Sequence, residues 1–171
     1  PNVEIQIGNN PASGVNISVD YQTGDWESTV CVDELAEPTF LPDGSGVFYS
    51  TSIELECFRN GQTLTNVNNI ISIDINMEHS FTGDLDMFIT APNGVQVQLF
   101  AQAGLGTWLG EATDVDITET NPGVGYDYGW SMNPTYNGTM DQAITNVNTT
   151  SVISTNGIEG QALNSGIYLP I

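Results

Sequence analysis

The sequence predicts an all-β fold, an antiparallel β-sandwich of jelly-roll type, and two observations carry that prediction. Apolar residues recur at every second position wherever they cluster, and strong turn signals separate the clusters. The alternating runs, in chain order, are Val3, Ile5 and Ile7; Val15, Ile17 and Val19; Ile53, Leu55 and Cys57; Ile71, Ile73, Ile75 and Met77; and Val95, Val97 and Leu99. Polar residues occupy the positions between them, Glu54 and Glu56 in one run, Ser72, Asp74 and Asn76 in another, which is the pattern of a sheet with one wet face. Turns are predicted at Pro42–Gly46, Arg59–Gly61, Pro92–Gly94, Gly104–Gly106 and Asn121–Gly123. No window of about 11 residues holds an apolar face of helical period. Short strands spaced in this way bury their alternate residues only by packing sheet on sheet.

Two further segments need separate treatment. Residues 1–28 read as an additional strand pair with a linker, its turn at Gly8–Gly14, set before a sandwich spanning 29–171. An isolated hairpin is marginal in water, so this pair must dock on something. Asp141–Asn164 is polar, rich in Asn, Thr and Ser with weak alternation, and reads as a long loop or an edge.

Composition narrows the functions open to the chain. Its 171 residues include 21 acids against one Lys or Arg, which is Arg59, for a formal charge of −20. Nucleic acid and membrane insertion are not expected, because phosphate surfaces are bound chiefly through Lys and Arg and no run approaches the about 20 apolar residues of a spanning helix. Charged residues make up only 13 % of the chain and hydrophobic ones 39 %, so the charge does not signal disorder. Acids without cations repel one another unless a counter-ion neutralises them, and Ca²⁺ suits carboxylates outside the cell. Cys31 and Cys57 are compatible with one disulfide or with two buried thiols.

The segment Ile73–Phe100, with His79, Phe81, Gly83-Asp84-Leu85 opening a strand, and Pro92-Asn93-Gly94 in a tight hairpin, resembles the P domain, or P/Homo B domain, of proprotein convertases. Gly110–Asp114 and Pro122–Ser131 extend the resemblance, which is closest to the versions in large secreted surface proteins and adhesins of gliding Bacteroidetes and covers roughly residues 35–170. The resemblance implies a secreted, cell-surface, non-catalytic structural or adhesive module. Its alternatives are an accessory domain stabilising a subtilisin-like protease, a carbohydrate-binding module, or a strand-exchanged filament subunit. The implied partners are other chains or domains of a surface assembly, reached by strand exchange, and glycans. Gly129 stands where the surface-protein version usually has Cys, so its disulfide pattern does not carry over. The family continues past its Gly-x-Tyr segment, here Gly166-Ile167-Tyr168, so the resemblance also implies a sandwich lacking its last strands. Such a gap would be filled by continuing polypeptide or by a strand from another chain. The alternating stretches Val3–Ile7 and Val15–Val19 suit a donor.

Individual residues follow from their chemistry. Asp84, Glu111, Asp114 and Asp127 are the candidate Ca²⁺ ligands, since carboxylates in Gly-rich loops supply the six to eight oxygens that Ca²⁺ takes; the same acids also serve as turn caps. His79, the only histidine, reads as a packed sheet residue rather than a member of a catalytic relay, and no nucleophile or zinc motif accompanies it. Trp108, flanked by Gly106, Thr107 and Gly110, is the candidate for stacking on a sugar ring, while Trp130 and its tyrosine neighbours read as core. No catalysis is expected.

Overall fold

A computed structural model describes residues 2–8, 16–22, 30–35, 40–42, 46–55, 58, 63–113 and 122–171. The strands are β1 (Asn2–Gly8), β2 (Asn16–Gln22), β3 (Val30–Leu35), β4 (Phe48–Glu54), β5 (Ile70–Met77), β6 (Asp86–Thr90), β7 (Gln96–Ala101), β8 (Trp108–Leu109) and β9 (Tyr126–Trp130). A short helix α1 (Met140–Thr145) precedes β10 (Thr149–Ile153), β11 (Glu159–Leu163) and β12 (Gly166–Tyr168). They form a four-stranded sheet β4-β1-β6-β7, a five-stranded sheet β12-β9-β5-β2-β3 and a small third sheet β10-β11-β8. The fold is an all-β sandwich, and its core gathers Ile5, Ile53, Met87 and Leu99 from the first sheet with Ile75, Met77, Tyr128 and Trp130 from the second.

The first two strands do not pair with each other. β1 lies between β4 and β6, with Ile5 opposite both Thr51 and Ile89, and β2 lies between β3 and β5, with Ile17 opposite Leu35 and Ile75. Interior placement satisfies both backbone edges of each strand, where a hairpin would satisfy one. The expected turn at Gly8–Gly14 begins in β1, and residues 9–14 lie outside the described residues, as does Cys57.

Asp141–Asn164, expected as loop or edge, holds most of α1 and then a hairpin whose first strand, β10, is an edge of the third sheet. Thr139 caps the helix by accepting the Gln142 N–H, and the Gln142 side chain accepts the Thr139 N–H in return. Met140, Ala143 and Ile144 then drop into the core. Six residues are too few to display a helical period, so the capping pair is the only local signal.

Two edge pairings are parallel rather than antiparallel, β8 with β11 and β9 with β12, each only two or three residues long. Tyrosine hydroxyls supplement them. The Tyr128 hydroxyl accepts the Gly110 N–H at 2.8 Å and donates to the Leu163 carbonyl at 3.0 Å, joining β9 to the ends of β8 and β11. The Tyr168 hydroxyl donates to the Asn164 carbonyl. Burial raises both phenols: Tyr128 moves far above its ordinary value, and Tyr168 is pushed up to about 12. On the other side of β8, Trp108 lies over Gly160 of β11, where a Cβ would come within 2.4 Å of the indole.

Two outcomes follow from these contacts. Gly160→Ala should lose about 1–3 kcal/mol in urea unfolding, the usual cost of overpacking, because the added carbon displaces a whole indole. An unchanged midpoint would mean that Trp108 is not seated on that backbone. The raised phenols should make stability fall with alkali. Below the unfolded-state value of 10.0 both states hold the proton; above it the unfolded chain loses protons that Tyr168 keeps until about 12, so stability declines across that window. Tyr168→Phe should flatten the decline, as followed by circular dichroism between those pH limits.

Candidate functional site

The nominated acids are engaged separately. Asp84 ends a 3-10 turn, Thr82–Asp84, just before β6, and its Oδ1 lies 3.7 Å from His79 Nε2. The His79 ring is buried, and its Nδ1 accepts the Phe81 N–H at 3.1 Å, which leaves the proton of a neutral ring on Nε2, facing Asp84. The His79 backbone is bridged to Leu109 by two hydrogen bonds of 2.9 Å. The ring thus holds the backbone at Phe81, while the His79 backbone joins this segment to β8.

Glu111 accepts the Tyr126 hydroxyl at 3.0 Å, and its backbone bridges Val124. Tyr126 is raised above its ordinary value by burial first, then by its bond to the Glu111 carboxylate and by that charge. Close by, Glu78 is buried and accepts the Gly123 N–H at 3.3 Å. Asp127 is exposed on β9 and accepts the Asn76 amide at 2.6 Å. Asp86 accepts from the Gln98 and Gln102 amides at 3.2 and 2.6 Å. Asp114 lies outside the described residues. Among the described residues, no three His, Cys, Asp or Glu side chains gather as a metal-holding group.

Trp108 corrects an expectation. Its glycine neighbours suggest an exposed loop, yet the ring is only 5 % exposed and packs with Ala112 and Ala162 in a small cluster under the third sheet. Such a ring presents no free face to a sugar. Trp130 is buried in the main core as expected, but its indole N–H has no acceptor among the described residues.

The feature that sequence reading missed is an apolar cleft of about 510 Å³ between the two principal sheets. β5 contributes Ile70 and Ile73 and β9 contributes Trp130; β6 and β7 contribute Ile89, Val97 and Leu99 from the facing sheet. Leu55, Leu64 and Val67 of the crossover between the sheets close one side, and Pro170 stands at another. Along β7 the alternation continues while cover is lost, since Leu99 is 3 % exposed, Val97 38 % and Val95 57 %. Along β5 cover also falls, from buried Ile75 to half-buried Ile73, and a bulge between Ser72 and Ile70 then brings Ile70 rather than exposed Ile71 to the cleft. Period two reports which residues share a face and carries no information on where the opposing sheet ends. The one available hint is Leu64 and Val67, apolar residues in a segment with no strand pattern.

No protein-family model matches this chain, and neither a curated protein nor a solved structure matches it.

Proposed function

We propose that the chain is a non-catalytic structural or adhesive module of a secreted bacterial surface protein, built on a P-domain-type sandwich and stabilised by Ca²⁺. The observation that supports this reading is the division of labour among its side chains. The described groups with catalytic potential are used to hold the fold: His79 Nδ1 takes the Phe81 N–H, Glu111 takes the Tyr126 hydroxyl, and Tyr128 ties three strands. The large concave surface, in contrast, is lined by aliphatic and aromatic side chains suited to contact rather than chemistry. The charge of −20 with no lysine favours a setting in which a divalent cation is abundant. Asp84, Glu111, Asp114 and Asp127 remain the proposed ligands.

The non-catalytic reading is tested by incubating the purified chain with casein, p-nitrophenyl acetate and p-nitrophenyl glycosides. No turnover is expected, and any trace activity should persist in His79→Ala. Activity that disappears in that variant while its circular dichroism spectrum is retained would overturn the reading.

The metal component is tested by thermal melting in EDTA and in millimolar Ca²⁺. Linkage gives about 2.7 kcal/mol of added stability at a hundred-fold excess over Kd, so the midpoint should rise by several degrees. A midpoint indifferent to Ca²⁺ would remove the ion from the proposal.

A further inference from the structure

The cleft between the sheets adjoins a backbone edge that is open among the described residues. Among the described residues, β7 stands at the end of the first sheet and forms a ladder with β6 alone. One bond is already made there: the Ile171 N–H donates to the Gln98 carbonyl at 3.2 Å, while the neighbouring Pro170 stands at the cleft. A strand entering along this edge would continue from that bond toward Gln96, the regular part of β7, because a bulge at Leu99 breaks the register on the other side. Soluble proteins protect such edges with charges or proline, and Gln96-Val97-Gln98-Leu99-Phe100-Ala101 contains neither.

The side chains beneath that edge complete the requirement. Val97 of β7 and Val95 just before it are exposed at the cleft, and Leu99 is buried there, so all three line it. An added strand would send every second side chain toward the cleft, over Ile73 and Trp130 of the other sheet. A free hydrocarbon would fill the volume but leave the edge unpaired. It would also bring no carbonyl oxygen to a region where the buried indole N–H of Trp130 has no acceptor among the described residues.

We propose that the β7 edge and the apolar cleft together form an acceptor site for an extended polypeptide strand from a partner, apolar at alternate positions and neutral or flanked by basic residues. The charge preference follows from the host. With a formal charge of −20 and no lysine, the chain repels an anionic segment and attracts Lys or Arg at the ends of a docked one. Binding by this mode draws affinity from main-chain bonds and selectivity from pockets for alternate side chains. The inference rests on the module's proposed role in binding rather than catalysis, and it names the kind of partner.

The test uses the full chain and a synthetic peptide, acetyl-Lys-Val-Thr-Val-Thr-Val-Thr-Lys-amide, followed by calorimetry and tryptophan fluorescence. Two further peptides are N-methylated at alternate residues, one set along each backbone edge, and a scrambled peptide breaks the alternation. Saturable binding is expected for the parent. One N-methylated peptide should bind at least tenfold more weakly and the other should be little changed, because only one edge faces β7. Val97→Asp, a half-exposed position chosen to spare the fold, should weaken the parent peptide by a similar factor; if that variant unfolds, the N-methyl pair decides alone. Absence of saturable binding overturns the proposal, as does equal binding of both N-methylated peptides or of the scrambled one. Nile red, a neutral dye, separates the alternative: uptake of the dye with no displacement by peptide overturns the strand site in favour of a small apolar ligand and leaves the non-catalytic reading standing. Mass spectrometry of the bound peptide separates the two failures in the other direction, since one-edged docking followed by cleavage supports the site and overturns the non-catalytic reading.

Discussion

The hydroxyl of Tyr128 is the point at which β9 meets the ends of β8 and β11. β8 contributes two residues to its ladder with β11, and β12 three to its ladder with β9, and both ladders are parallel. Parallel ladders this short supply too few bonds to hold a sheet together. By taking the Gly110 N–H and giving its own proton to Leu163, Tyr128 joins the second sheet to the third from inside the core. The arrangement requires Gly110 as much as the tyrosine. Gly110 has a φ of 62°, and a Cβ there would lie 2.3 Å from the Val124 carbonyl. A hydroxyl buried between a donor and an acceptor is costly to remove, because both partners are then left unsatisfied.

A chain with 21 acids and one cationic residue cannot neutralise its carboxylates by ion pairing, and the structure shows what it uses instead. Neutral donors serve: the Tyr126 hydroxyl for Glu111, the Asn76 amide for Asp127, the Gln98 and Gln102 amides for Asp86, and the Gly123 N–H for Glu78. Hydrogen bonds to a charged acceptor contribute about 1.5–3 kcal/mol each and need no counter-charge, although they leave the mutual repulsion of the acids in place. Asn and Gln at strand positions facing acids are thus the local substitute for the missing lysines. The same repulsion is screened by mobile ions beyond about a Debye length.

The sequence made part of the strands legible, β1, β2, β5 and β7 among them, but not their neighbours, and it left β10 and β11 inside a segment expected as loop or edge. Val3, Ile5 and Ile7 announce a strand, and Ile5 is indeed buried, yet nothing local says that it belongs between β4 and β6 rather than beside β2. Alternation specifies a face; partner choice depends on residues far along the chain. Trp108 shows the same limit, for its flanking glycines suggest exposure while Gly160, far away in sequence, vacates the space the ring fills. His79 illustrates the favourable case, because a single imidazole between Met77 and Phe81 at strand spacing reads as packed, and its ring is buried. The cleft was illegible because Val95 and Val97 carry the same signal as buried Leu99, and only the reach of the opposite sheet separates them.

The interior position of β1 also has a consequence for how the chain is made. Ile5 leaves the ribosome long before Ile89, its partner in β6, and also before Thr51 in β4. At about 5–20 residues per second, both edges of this apolar stretch stay unpaired for a time on the order of seconds during synthesis. β2 waits similarly for Ile75. Closing loops of that length makes native pairing a late event, since the entropy of bringing the ends together precedes any gain from contact. The segment carrying β1 and β2 thus waits unpaired during synthesis, and a chaperone would have reason to hold it until the two sheets are ready to receive it.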